Sequence, residues 1–193
     1  DRPERVRIAV WQGVFFAVAA GVLLALIGSA AGYIMGATGH PAEVMRQEIT
    51  YFRILLFGAI CPVMSSALAG FYSGLGRTRV IMAVEVSGNV VNFVLAWALI
   101  FGRLGFPEMG IVGAGIATVS AGAFITLAYI MLLAFGPLGR RYAVLRAPLL
   151  DWGLLRRLLG YGFPNGLGWT ADAAAWTGFI WFIGRLGETE MQA

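Results

Sequence analysis

Five long apolar stretches dominate the chain, each separated from the next by a polar or glycine- and proline-containing interval. They run from about Val10 to Ala37, Ile49 to Gly74, Val80 to Phe101, Gly110 to Phe135 and Leu158 to Ile183. Each reaches the ~20 residues a helix needs to cross ~30 Å of hydrocarbon. Gly39-His40-Pro41 closes the first stretch, and Gly74-Leu75-Gly76-Arg77-Thr78-Arg79 divides the second from the third. Gly102 to Pro107 precedes the fourth. The interval from Gly136 to Arg157, with Pro137 and Pro148, is the longest and reads as a linker between two lobes. The predicted fold class is an all-α membrane protein, a fragment of a polytopic helical bundle with five transmembrane helices. The chain begins at Asp1 rather than Met, and an apolar stretch ends close to Ala193, so a piece of a longer protein is expected.

Composition supports lipid as the solvent. Of 193 residues, 59% are hydrophobic and 12% charged, against about 25% charged in a soluble domain. All 14 basic residues are arginine, and the net charge is +4. They form no stripe with interleaved aromatics, so no nucleic-acid partner is expected; they mark topology instead. Ten flank one side: Arg2, Arg5, Arg7, Arg77, Arg79, Arg140, Arg141, Arg146, Arg156 and Arg157. The other side has at most four: Arg46, Arg53, Arg103 and Arg185. The positive-inside rule places the ten in the cytoplasm.

Lipid tails do not drive helices together, so close packing of small residues must. Gly28, Gly32 and Gly36 lie four apart in the first stretch, as do Gly113, Ala117 and Ala121 in the fourth. Both stripes predict tight helix pairs. Pro62 and Pro164 each remove a backbone donor and crowd the preceding turn, so each should bend or open its helix. Pro164 lies in Gly162-Phe163-Pro164-Asn165-Gly166-Leu167-Gly168, where flexing and a simple kink both remain open readings. Gly102-Arg103-Leu104-Gly105 and Gly184-Arg185-Leu186-Gly187 suggest two helices that end alike, on a left-handed glycine with a cation at the dipole's negative end.

Few residues are equipped for chemistry. Cys61 is the only cysteine and His40 the only histidine, so no disulfide framework, thiolate cluster or histidine metal site is expected. No Ser-His-Asp set, phosphate-binding loop, HExxH or carboxylate pair with acid–base spacing is present, which disfavours an enzyme. Asp172 stands some fourteen residues into the fifth stretch. An ionisable group near the membrane centre costs on the order of 3 kcal/mol on insertion scales and marks a functional candidate, with a packing aspartate as the alternative. A carboxylate poised between burial and a nearby cation can exchange a proton, sodium ion or cationic substrate. Glu85 lies near one edge of the third stretch, placed to snorkel, to pair with an arginine, or to line a cavity or meet substrate. Asn89 and Asn92 lie deeper and serve as interhelical glue or cavity lining. Trp169 and Trp176 offer cation–π faces to a cationic substrate, packing being their ordinary role.

Leu68 to Ser120 resembles the multidrug and toxic compound extrusion (MATE) family, NorM-like branch. The resemblance rests on Gly74-Leu75-Gly76-Arg77-Thr78-Arg79, the Asn89 to Asn92 segment, Ile100-Phe101-Gly102, Gly105-Phe106-Pro107-Glu108-Met109-Gly110 and Gly113-Ala114-Gly115-Ile116-Ala117-Thr118. Tyr51 to Pro62 resembles the entry to the family's fourth helix, and Gly162-Phe163-Pro164 followed by Asp172 the start of its seventh. The resemblance implies helices three to seven. Residues 1–135 would be four helices of an amino-terminal lobe, 136–157 a cytoplasmic linker and 158–193 the first helix of a carboxy-terminal lobe. It implies cation-coupled efflux of amphipathic organic cations by alternating access, with a proton or sodium as coupling ion and no other cofactor. Asp172 falls on an acidic position that contributes to cation binding, although that position is usually glutamate. Ala96 departs from the family, where Asp or Asn is frequent. The implied partners are the bilayer, the cationic substrates and the transporter's remaining helices, in a bacterial inner membrane. A lipid-linked oligosaccharide flippase of the same superfamily and a non-transporting membrane subunit are the rival readings.

Overall fold

The computed structural model describes residues 3–36, 42–144 and 150–190. The helices are α1 (Pro3–Ser29), α2 (Ala31–Met35), α3 (Ala42–Gly58), α4 (Ile60–Gly74), α5 (Thr78–Ile100), α6 (Gly110–Phe135), α7 (Pro137–Tyr142) and α8 (Trp152–Glu190). No strand occurs among the described residues. The chain divides into two compact units, residues 1–150 and 151–193. His40 and Pro41, assigned from sequence to a turn, lie outside the described residues, as do Arg146 and Pro148.

Four described segments are long and apolar enough to cross a membrane: Glu4–Ser29, Val44–Gly74, Thr78–Ile100 and Gly110–Phe135. The expected fifth segment is helical throughout, inside α8. Its Gly-Phe-Pro-Asn-Gly run and Asp172 dilute its apolarity, so composition alone does not place it with the other four. Large side chains such as Leu23, Leu26, Phe93, Met131 and Phe135 are exposed on the first unit, as lipid-facing residues must be.

Within the first unit, α6 packs against α3, α4, α5 and α7, while α1 packs against α2, α3, α4 and α7. The column formed by α3 and α4 is thus sandwiched between α1 and α6. Gly113, Ala117 and Ala121 are all buried, as the four-residue stripe predicts. A Cβ on Gly113 would meet the Leu99 backbone of α5, one on Gly115 would meet Ile54 and Tyr51 of α3, and one on Gly122 would meet Cys61 of α4. The first stripe is not a seam. Helix α1 ends at Ser29, a turn intervenes, and only Gly28 of the three glycines packs closely, against Leu56. The working seam of α1 is Gly13, Ala17, Gly21 and Gly28: Gly13 meets Ala67, Gly21 meets Ile60, and Ala17 is fully buried.

Helix ends follow local chemistry. After α4, Gly76 takes φ +68°, Arg77 N–H donates to the Tyr72 carbonyl at 2.8 Å and Gly76 N–H to that of Ser73 at 2.9 Å. After α5, Gly102 takes φ +64° and Arg103 N–H donates to the Ala98 carbonyl at 2.8 Å. The matching residues 184–187 do not end a helix; they lie inside α8. The interval after α6 is more ordered than a bare linker. Gly136 is extended, Pro137 starts α7, and α7 packs on α1 and α6. The Trp11 indole N–H donates to the Val144 carbonyl at 2.8 Å, tying this segment to α1. Val10, Leu68, Phe71, Tyr72, Val84, Tyr129, Tyr142 and Val144 form one apolar cluster at this arginine-rich end. Asp151 caps α8, its carboxylate accepting from Leu154 N–H at 3.0 Å.

Candidate functional site

Pro62 has no N–H to offer the Gly58 carbonyl, and the helix is interrupted there: α3 stops at Gly58 and α4 restarts at Ile60. Beside that break lies a cavity of about 250 Å³. Leu55, Gly58 and Pro62 line it from the α3–α4 column, Gly88, Asn89 and Asn92 from α5, and Thr118, Val119, Ala121, Gly122 and Ile125 from α6. The structure thereby brings together three residues singled out from sequence, Pro62, Asn89 and Asn92. Four of the lining residues are glycine or alanine, so missing side chains supply much of the space.

The polar groups at this cavity differ in how far they are satisfied. The Asn89 amide donates to the Glu85 backbone carbonyl at 2.9 Å, a bond within its own helix. Thr118 donates to the Ala114 carbonyl at 3.0 Å, likewise within α6. One turn beyond Gly122, the Thr126 hydroxyl lies 2.9 Å from the Cys61 carbonyl of α4 and 2.9 Å from the Gly122 carbonyl of its own helix. Its single proton serves two acceptors and stitches α6 to the interrupted helix. The Asn92 amide makes no hydrogen bond to another described residue, so it keeps its capacity for whatever enters. A cavity walled by apolar side chains and a few amide and hydroxyl groups suits an amphipathic guest.

Glu85 is half-buried, and its carboxylate accepts a hydrogen bond from the Tyr129 hydroxyl at 3.2 Å. Tyr129, fully buried on α6, was not found from sequence. Nothing in the spacing of one helix reveals a partner 44 residues away. Thr118 and Thr126 were likewise missed, although hydroxyls within an apolar, alanine-rich stretch are a usable signal.

Asp172 stands on α8, in the second unit. Trp169 and Trp176 lie three residues before and four after it, so the three share one helix face. The Trp176 ring meets Phe179 edge-on, with centroids 6.0 Å apart. Pro164 leaves α8 unbroken, in contrast to the interruption at Pro62. Among the described residues no cluster of histidine, cysteine and acidic side chains could hold a metal ion.

A family model described as MatE matches residues 1–98. Among similar curated proteins, the probable multidrug resistance protein NorM of Geobacillus kaustophilus is 30% identical, covering 100% of this chain and 43% of its own length. The probable multidrug resistance protein NorM of Thermotoga maritima is 28% identical over 85% of the chain and 35% of its own length. The multidrug resistance protein MdtK of Cronobacter sakazakii is 31% identical over 86% and 37%. The chain thus spans about two fifths of the length of these relatives. No solved structure matches it. A family match over residues 1–98, NorM and MdtK relatives along most of the chain, and a helical architecture with four described segments long and apolar enough to cross a membrane place this chain in the MATE family, on its NorM-like side, as an integral membrane protein.

Proposed function

We propose that this chain is part of a secondary active multidrug exporter that moves amphipathic organic cations out of the cell by alternating access, driven by inward flow of a proton or sodium ion. The observation that carries the reading is the amide-lined cavity at the interrupted α3–α4 helix. It gives a lipophilic guest apolar walls and directional hydrogen bonds together. Relatives named as multidrug resistance proteins support a multidrug efflux role.

In this reading residues 1–135 serve as an amino-terminal lobe, 136–157 as a cytoplasmic linker and 158–193 as the opening of a second lobe. Asp172 is the coupling group, and Trp169 and Trp176, on its helix face, offer aromatic surface to a cation. Inward movement of one charge supplies ~2.3 kcal/mol per 100 mV, before any chemical gradient. In this reading the linker lies on the cytoplasmic side of a bacterial inner membrane, the side that the positive-inside rule favours for its arginines.

The test is Asp172→Asn in the full-length protein. The variant should reach the membrane at normal levels and lose ethidium efflux, because an amide of similar shape cannot exchange a cation. Normal efflux with an unaltered response to pH and to sodium removes Asp172 from the mechanism.

A further inference from the structure

Three segments of the first unit bring arginines to one end of the bundle. Arg5 and Arg7 stand in the first turns of α1, Arg77 and Arg79 at the start of α5, and Arg140 and Arg141 in the last turn of α7. Their neighbours along the chain meet in one apolar cluster: Val6, Leu75, Val80 and Leu138 pack against it, and Tyr142 belongs to it. The Phe71 ring of α4 joins the segments, meeting Tyr142 edge-on with centroids 5.6 Å apart. Helices α1, α4, α5, α6 and α7 build this end, and their described residues include two acids, Glu4 and Glu85. The Glu85 carboxylate accepts from Tyr129. Among the described residues no carboxylate pairs with any of the six arginines.

Arg7 shows most clearly what this end lacks. Arg7, Val10 and Trp11 share one face of α1. That face meets the segment after α7, because Val10 clusters with Tyr142 and Val144, and Trp11 donates to the Val144 carbonyl at 2.8 Å. Arg7 is half-buried there, and its Nε is enclosed without a hydrogen-bond partner. A guanidinium partly withdrawn from water calls for a counter-charge. The surface that runs on from the arginines is apolar. Arg79, Met82 and Val86 fall at i, i+3 and i+7 on α5 and are all exposed, on the side away from Gly88, which meets α6. On α6, Met131 and Phe135 are exposed in the turns that lead into α7. Helices α5 and α6 are antiparallel, Glu85 meeting Tyr129 and Gly88 meeting Ile125, so both apolar stripes end at the arginines.

We propose that the arginine-rich end of the first unit is a docking surface for an anionic phospholipid, its phosphate held by the arginines and its acyl chains lying along the α5 and α6 stripes. A guanidinium grips a phosphate through two parallel hydrogen bonds. Basic clusters at a membrane boundary favour anionic headgroups over zwitterionic ones. The exposed stripes commit the surface to a lipid, because a soluble phosphate would leave them uncovered. The site goes beyond the exporter reading and stands without it.

The experiment is native mass spectrometry of the full-length protein in detergent, titrated with phosphatidylglycerol or with phosphatidylcholine of the same chains, and then with glycerol 3-phosphate as competitor. Phosphatidylglycerol should bind about tenfold more tightly than phosphatidylcholine. Arg79→Gln and Arg140→Gln should each weaken phosphatidylglycerol binding roughly fivefold and leave phosphatidylcholine binding unchanged. Both side chains are exposed, so their loss leaves the core packed, and Arg79→Lys, which keeps the charge, should retain most of the preference. Arg103→Gln, beyond the opposite end of α5, should alter neither lipid. Equal binding of the two lipids overturns the proposal and leaves the arginines as marks of topology alone. A loss in Arg103→Gln as large as in Arg79→Gln and Arg140→Gln also overturns it, since the attraction would then be diffuse. Displacement of phosphatidylglycerol by glycerol 3-phosphate overturns the lipid as occupant, because a headgroup without chains would suffice.

Discussion

Replacing Gly113 with alanine tests whether the α5–α6 contact is set by the absence of a single carbon. The added Cβ would lie 2.7 Å from the Leu99 carbonyl carbon, 2.8 Å from its oxygen and 3.0 Å from its Cβ. Ordinary carbon–carbon contact is ~3.5–4.0 Å, so the helices must part by about 1 Å. Two of the three atoms are backbone, so no rotamer change relieves the clash. The Leu99 oxygen also accepts from Met109 N–H at 2.9 Å, and the displacement strains the loop that this bond closes. Overpacking of this kind costs ~1–3 kcal/mol. Alanine returns ~1 kcal/mol of helix propensity, which would blur a single measurement. Gly70→Ala removes the ambiguity, because Gly70 is helical and nothing lies within 4 Å of its added Cβ. The gap between the two variants isolates the packing cost, expected to be ~1–3 kcal/mol with Gly113→Ala the less stable. Equilibrium unfolding of the full-length protein in mixed detergent, followed by circular dichroism, reads it. Variants that unfold within ~0.5 kcal/mol of each other, the usual spread of neutral changes, would refute the close approach.

Three further outcomes follow from other contacts. Trp11→Phe removes the indole bond to the Val144 carbonyl at 2.8 Å, worth ~1 kcal/mol, and should speed amide exchange across residues 137–144; unchanged exchange would mean that α1 does not hold that segment. Gly76→Ala forces a side chain onto φ +68° and should lower stability by ~1–2 kcal/mol, while Gly74→Ala, two residues earlier in open space, should not; equal melting temperatures would contradict the cap. Thr126→Val removes the hydroxyl that reaches the Cys61 carbonyl of α4 at 2.9 Å and should cost ~0.6 kcal/mol, as interhelical bonds in membranes do, read by the same detergent unfolding; a more stable variant would show the bond is not net favourable.

Helix positions were legible where the signal is local. The stretch predicted at Gly110 to Phe135 is α6 itself, and α5 begins two residues before its predicted start. Lipid demands a continuous apolar run and glycine ends it, and both are visible in the chain. Signals that depend on context were not legible. Gly102-Arg103-Leu104-Gly105 ends α5, yet the same four residue types at 184–187 continue α8. Pro62 divides a helix, whereas Pro164 leaves one whole. Spacing by four identified the α6 stripe, but in the first stretch it joined Gly28 of α1 to two glycines, Gly32 and Gly36, beyond that helix's end. The seam actually used, Gly13, Ala17, Gly21 and Gly28, is defined by what α3 and α4 present to it. Asn89 and Asn92 were recognisable as cavity candidates because amides in an apolar run need partners. The Glu85–Tyr129 pair was not, because it depends on how two helices are rotated against each other.

These observations have a common cause in the places where side chains are missing. Gly58 and Gly88 are at once contact points and cavity walls. A Cβ on Gly58 would strike Val119, and one on Gly88 would strike Ile125, so both glycines draw their helices onto α6. The same glycines, with Ala121 and Gly122, leave the volume that Asn89, Asn92 and Thr118 make polar. Close packing and an open cavity are therefore not in competition here. The interruption at Pro62 falls at the same level, so the part of the span whose backbone bonding is already incomplete is the part that faces the space. Under the alternating-access reading proposed above, this helix would yield there first, because opening it sacrifices the fewest hydrogen bonds. The unbroken helices α5 and α6, joined at Gly88 and tied by Glu85 and Tyr129, form the rigid wall against which such a movement would be made.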